Sequence, residues 1–152
     1  MLKFGGTSLA SPKDIINVAK TITSFSKGNQ IVVVCSAVDG VTDSLILIST
    51  MIEQKKKKEV VDALDGLVKK HKKLADQTIK DSVIKKQLLE KLNADVSELQ
   101  ELVRGLTLLK EVSARSLDYL ISFGERLSDD LVSFALQDLK KKSTALNGKE
   151  VG

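Results

Sequence analysis

A chain of 152 residues, 42% of them apolar, is long enough for one globular core, and at this size folding hides only about 70% of the unfolded surface. The formal charge of +4 comes from 24 Lys and Arg against 20 Asp and Glu, with aromatic residues at only 3%; interleaved charges with so few stacking rings argue against nucleic-acid binding. No run of about 18 apolar residues occurs and the N-terminus lacks the apolar stretch of a signal peptide, so neither membrane insertion nor export is expected.

In chain order, "LKF" at 2–4 reads as a short strand, and Gly5 and Gly6 follow it. Ser11-Pro12 is a helix start: the serine caps free N–H groups, and proline at the first helical position gives up only an N–H without a partner. Ile15, Ile16, Ala19, Ile22 and Phe25 then make one helical face, with a stop expected near Lys27-Gly28. Ile31 to Val34 is an unbroken β-branched run, the pattern of a parallel strand covered on both faces. Residues 2 to 35 thus form a βαβ unit with a right-handed crossover.

The single cysteine, Cys35, ends this second strand; it cannot form an internal disulfide and is expected to be a small buried hydrophobe in a reducing, cytoplasmic setting. From "GVTDSLILISTMIE" to residue 121 the pattern is helical. Leu45, Ile48 and Ile52 form one stripe, and Val60, Val61, Leu64, Leu67, Val68, His71 and Leu74 another. Val83, Ile84, Leu88 and Leu92 precede Val96, Leu99, Leu102, Val103, Leu106 and Leu109. These are core faces of packed helices. The one histidine lies on such a stripe far from the one cysteine, so no structural zinc is expected. Ser143 to Leu146 is a third strand candidate, followed by a turn at Asn147-Gly148.

Three stretches can carry chemistry. Gly5 and Gly6, between a strand and a helix, let backbone N–H groups approach an anion, and Lys3 could bring a point charge to a phosphate; a tight structural turn is the alternative. "GGTS" is no Walker loop, and G-x-G-x-x-G is absent. At the end of the second strand, Ser36, Gly40, Thr42 and Ser44 cluster where open α/β sheets bind ligands, although Thr42 also suits an N-cap, and Asp39 and Asp43 suit the first turn of a helix. In "DYLISFGERLSDDL", Phe123-Gly124 marks a helix junction, where Glu125 either caps the next helix or holds a ligand ammonium.

Together, "KFGGTS" at 3–8, "VVVCSAVDGVTD" at 32–43 and "SFGERLS" at 122–128 resemble the aspartate kinases of the amino-acid kinase family, in order and over essentially the whole chain. The resemblance implies an α/β fold, three-layer αβα with a mainly parallel sheet, of which residues 1–152 would be the N-terminal, amino-acid-binding lobe with a helical segment at about 55–112. It implies transfer of the γ-phosphoryl group of ATP, carried with Mg2+, to the side-chain carboxylate of L-aspartate. Lys3, Phe4, Gly5 and Gly6 would meet the ATP phosphates, with Lys3 catalytic; Ser36 and Thr42 would contact the aspartate, and Glu125 its ammonium group.

The family's later segment, which supplies the adenine and ribose pocket, has no counterpart up to Gly152, so these residues by themselves are expected to be inactive and to self-associate as a homo-oligomer through uncovered apolar surface. Asp39 departs from many relatives by adding a charge beside the acceptor site. Two other readings are a glutamate or acetylglutamate kinase, against which the helical segment and "SFGERLS" argue, and a non-catalytic helical assembly module.

Overall fold

The computed structural model describes residues 1–26, 28–146 and 148. Its order is β1 (Leu2–Phe4), a 3-10 turn (Gly6–Leu9), α1 (Pro12–Phe25), β2 (Val33–Cys35), α2 (Val41–Glu53), α3 (Lys57–Thr78), α4 (Ser82–Leu109) and α5 (Ala114–Asp138). β1 and β2 pair in parallel, Leu2 with Val33, Lys3 with Val34 and Phe4 with Cys35. A helix therefore crosses between parallel neighbours, as the βαβ reading requires.

Local chemistry sets most boundaries. The Ser11 hydroxyl accepts from Asp14 N at 3.3 Å and Pro12 opens α1, a cap worth about 1 kcal/mol. Two further caps were not anticipated: Asp81 accepts from Val83 N and Ile84 N at 3.0 and 3.2 Å, and Ser113 accepts from Ser116 N at 3.2 Å. α2, α4 and α5 are each followed by a left-handed lysine, Lys55, Lys110 and Lys140, so these helices end without the glycine that usually permits that turn.

The apolar stripes meet in one core that includes Leu9, Ile15, Leu45, Ile52, Leu92, Leu99 and Phe123. The Leu45, Ile48 and Ile52 stripe is wholly buried, whereas the other stripes run past the buried zone: Phe25, Val61, Val83 and Leu109 are exposed. His71 is buried, with Nδ1 donating to the Leu67 carbonyl oxygen at 2.9 Å, so its Nε2 bears the lone pair, and burial lowers its pKa.

Three expectations are corrected. First, β2 is covered on one face only: Cys35 is buried beneath the helices, whereas Val32 and Val34 on the opposite face are 65% and 41% exposed, because no described helix lies over them. Second, Ser143 to Leu146 is not a strand; the Ser143 hydroxyl donates to the Ser133 carbonyl oxygen at 2.7 Å, and the Ser143 carbonyl accepts from Gln137 Nε2 at 3.3 Å, so α5 side chains and backbone take bonds a strand would share. Two strands remain among the described residues. Third, Phe123-Gly124 is no junction, since α5 runs through it unbroken.

The expected helix stop involves Lys27 and the expected turn involves Asn147, both outside the described residues; α1 ends at Phe25, and Gly28 takes a left-handed φ of 77°. No helix among the described residues is long and apolar enough to cross a membrane.

Candidate functional site

Parallel pairing brings the carboxyl ends of β1 and β2 to the same edge, where Ser36 N donates to the Phe4 carbonyl oxygen at 2.9 Å. The two glycines beyond Phe4 are then under different constraints. A Cβ on Gly6 would stand 2.9 Å from the Ala37 carbonyl oxygen, so Gly6 is needed for close backbone approach. Gly5 is extended, with nothing within 4 Å of where its Cβ would be; it leaves an open stretch of bare main chain that an anion can reach. Phe4 is half-buried against the core, and Lys3 points from the exposed face of the sheet.

In the β2–α2 loop, Gly40 has φ 71° and occupies the N-cap of α2. Thr42 is therefore not the cap, correcting that reading; it is an exposed residue of the first turn, beside Asp43. No side chain caps this helix. The Ser44 hydroxyl turns back onto the Gly40 carbonyl oxygen at 2.8 Å. From α3, Lys70 reaches the loop and donates through Nζ to the Asp39 carbonyl oxygen.

α5 closes the arrangement. A Cβ on Gly124 would lie 2.8 Å from the Ala37 Cβ and 3.3 Å from Val41 Cγ1. The glycine read as a helix break is instead a flat spot on a continuous helix, into which the loop packs. The Ser128 hydroxyl lies 2.8 Å from both the Ser36 and the Glu125 carbonyl oxygens, and its proton is shared between them. Glu125 is an exposed mid-helix residue, so its capping role is excluded.

All three sequence stretches thus meet at Ser36–Ala37: Gly6 on one side of Ala37, Gly124 on the other, and Ser128 on Ser36. The contacts are made by these small residues. Lys3, Thr42 and Glu125 present exposed side chains from the segments that the contacts bring together.

The electrostatics on α5 involve residues that sequence reasoning did not single out. Burial, followed by the charge of Glu125 one turn earlier, pushes the Asp129 carboxyl up to about 6, against a hydrogen bond from Cys35. Burial and the neighbouring Asp129 push the Cys35 thiol up to about 12.

On the next face, Arg126 pairs with Asp95 and with Glu98, the latter at 2.7 Å, and lies over the Phe123 ring at 4.4 Å. Lys91 approaches Asp95 at 3.2 Å and Asp130 at 4.0 Å. Burial raises the Asp95 carboxyl, but hydrogen bonds with Asp130, Lys91 and Arg126 outweigh it and hold the group below its ordinary value. Asp130 is pushed up to about 7 by burial and by sharing a hydrogen bond with Asp95. Burial and the shared hydrogen bond thus favour a single proton between the two carboxyls, on the Asp130 side. The sequence signal was available: Asp95 falls on the buried stripe of Leu88, Leu92, Val96 and Leu99.

A surface hollow of about 310 Å3 at the start of α4 includes Lys80, Ser82 and Lys85 and shares no residue with the three motifs. Among the described residues, no group of three or more His, Cys, Asp or Glu is placed to hold a metal ion.

Comparison with known proteins identifies the kind of molecule that has this edge. The chain is 29% identical to the chloroplastic aspartokinase 3 of Arabidopsis thaliana, covering 100% of this chain and 26% of that protein. Its fold matches the crystal structure of E. coli aspartokinase III with lysine and aspartate, at a TM-score of 0.76 and 23% identity, over 93% of this chain and 29% of the other. It likewise matches that enzyme with aspartate and ADP, at a TM-score of 0.72 and 24% identity, over 91% and 29%. The chain thus spans about a quarter of the length of the curated relative. A family model described as the amino acid kinase family matches residues 1–152, and the chain belongs to that family.

Proposed function

We propose that residues 1–152 are the amino-acid-binding portion of an aspartate kinase, which transfers the γ-phosphoryl group of ATP to the side-chain carboxylate of L-aspartate and yields 4-phospho-L-aspartate. The observation that carries this reading is the convergence of the three motif segments on Ser36–Ala37 at the carboxyl edge of a parallel sheet. Aspartate and ADP bound to the E. coli structure, which shares this fold, support the same choice of substrates.

In this reading the turn of Phe4, Gly5 and Gly6, with its open main chain at Gly5, faces the ATP phosphates, and Lys3 offsets the charge that accumulates during transfer. Ser36 and Thr42 contact the acceptor, and Glu125 pairs with its ammonium group. A side-chain oxygen of aspartate forms the new bond to the γ-phosphorus as the bond to the β–γ bridging oxygen breaks, leaving ADP. The acceptor is already an anion, so no general base is required. Magnesium would arrive with the nucleotide as part of the substrate and would offset charge on its phosphates. The three-layer arrangement, with a second lobe over the exposed face of Val32 and Val34, belongs to the same proposal.

The test is ADP formation by the full-length protein with MgATP, with and without L-aspartate, and trapping of the acyl phosphate by hydroxylamine. Aspartate-dependent ADP and a hydroxamate product are expected. Turnover with glutamate or acetylglutamate but not aspartate would overturn the reading, as would no turnover at all.

A further inference from the structure

Lys70 lies outside all three motifs, on a helix otherwise occupied with core packing. Its Nζ nonetheless donates to the Asp39 carbonyl oxygen at 2.5 Å, across 31 residues of sequence, and stands 4.0 Å from where a Cβ on Gly40 would be. The near half of the β2–α2 loop is gripped elsewhere, Ala37 by the two glycines and Ser36 by Ser128. Asp39 and Gly40, the far half, are exposed. Gly40 has a left-handed backbone and sets the start of α2, and with it the position of Thr42, without a side-chain cap to fix it.

We propose that Lys70 is a positioning residue for acceptor binding: by holding the Asp39 carbonyl it fixes the 39–40 peptide and thereby the first turn of α2 that carries Thr42. It also brings a positive charge to a loop where Asp39 would otherwise weaken binding of an anionic acceptor. The helical segment would then be coupled to the site through one ammonium group. The role in acceptor binding rests on the aspartate kinase reading; the restraint on the loop does not.

Two measurements on the full-length protein separate these. Amide hydrogen exchange at Gly40 to Ser44 is expected to quicken about three- to tenfold in Lys70→Met and to return towards wild type in Lys70→Arg, which can still donate to the carbonyl. Unchanged exchange at these amides overturns the proposal whatever the enzyme does. In steady-state kinetics, Lys70→Met is expected to raise KM for aspartate about three- to tenfold with kcat and KM for ATP nearly unchanged, and Lys70→Arg to recover most of the loss. An unaltered KM for aspartate, or a fall in kcat alone, refutes the positioning role. If wild type shows no aspartate-dependent turnover, the kinase reading falls and the exchange result alone decides the restraint.

Discussion

Gly124 on α5 and Ala37 in the β2–α2 loop pack so closely that a Cβ on the glycine would stand 2.8 Å from the alanine Cβ. Alanine's Cβ cannot swing away, so Gly124→Ala forces helix and loop apart. A cost of about 1–3 kcal/mol is expected, the range for overpacking a core. Gly5→Ala, with open space around it, should leave stability within about 1 kcal/mol. Urea unfolding of both variants and of the Gly124→Ala, Ala37→Gly pair checks this. The pair should recover part of the loss, and equal stability of Gly124→Ala and wild type would show that the contact is not tight.

That contact also marks what the sequence could and could not reveal. Periodicity disclosed the helices because burying Leu45, Ile48 and Ile52, or Leu88 and Leu92, needs only local spacing. Gly124 was misread as a break because a glycine inside a helix looks the same whether it ends the helix or accommodates Ala37, 87 positions away in the chain. Boundaries at Lys55, Lys110 and Lys140 were hidden because left-handed lysines carry no local signature. The site motifs were legible as strings, yet the small residues that join them, Gly6, Ala37, Gly124 and Ser128, gain meaning only when β1 pairs with β2 and α5 lies against both. Asp95, a carboxylate on an apolar stripe, was an overlooked signal that its helix faces a cation.

In the proposed reading, Lys3 separates catalysis from stability. Its side chain is exposed on β1 and the core packs on the other face of the strand. Lys3→Ala in the full-length protein should therefore leave the thermal midpoint within about 2 °C, as for ordinary surface changes. It should lower kcat about 100-fold or more, the usual loss when a group aimed at developing charge is removed. Parallel melting curves and ADP-release rates test this, and a kcat within threefold of wild type would remove Lys3 from the mechanism.

Cys35 should be chemically silent in the folded protein. It is 6% exposed, and burial together with Asp129 pushes its thiol up to about 12, so almost no thiolate exists at pH 8. Native protein treated with a chromogenic disulfide reagent at pH 8 should react only at the rate of unfolding, whereas denatured protein reacts at once. Fast stoichiometric labelling of folded protein would contradict this burial.

The Asp95–Asp130 pair gives stability a pH dependence with a definite sign. Asp130 is pushed up to about 7 from an ordinary value of 3.8, so between these values the native state holds a proton that the unfolded chain has released. This contribution is fully present below pH 3.8 and is lost as pH rises through about 7. Asp129, raised to about 6, acts in the same sense. His71 acts oppositely: with its pKa lowered, its contribution is present above pH 6.5 and is lost as pH falls through its folded value. Asp130→Asn keeps a neutral donor beside Asp95 at every pH and removes only the first loss. Its thermal midpoint should exceed that of wild type slightly at pH 5, where the loss has begun, and by more at pH 8, where it is complete. Asp95→Asn, which strips Arg126 and Lys91 of a shared partner, should be destabilised at both values, because it removes the buried carboxylate that both cations share and leaves them only Glu98 and Asp130. Melting curves of the three proteins at the two pH values decide the matter: a midpoint difference between Asp130→Asn and wild type that is the same at pH 5 and pH 8 would mean that Asp130 ionises normally in the fold.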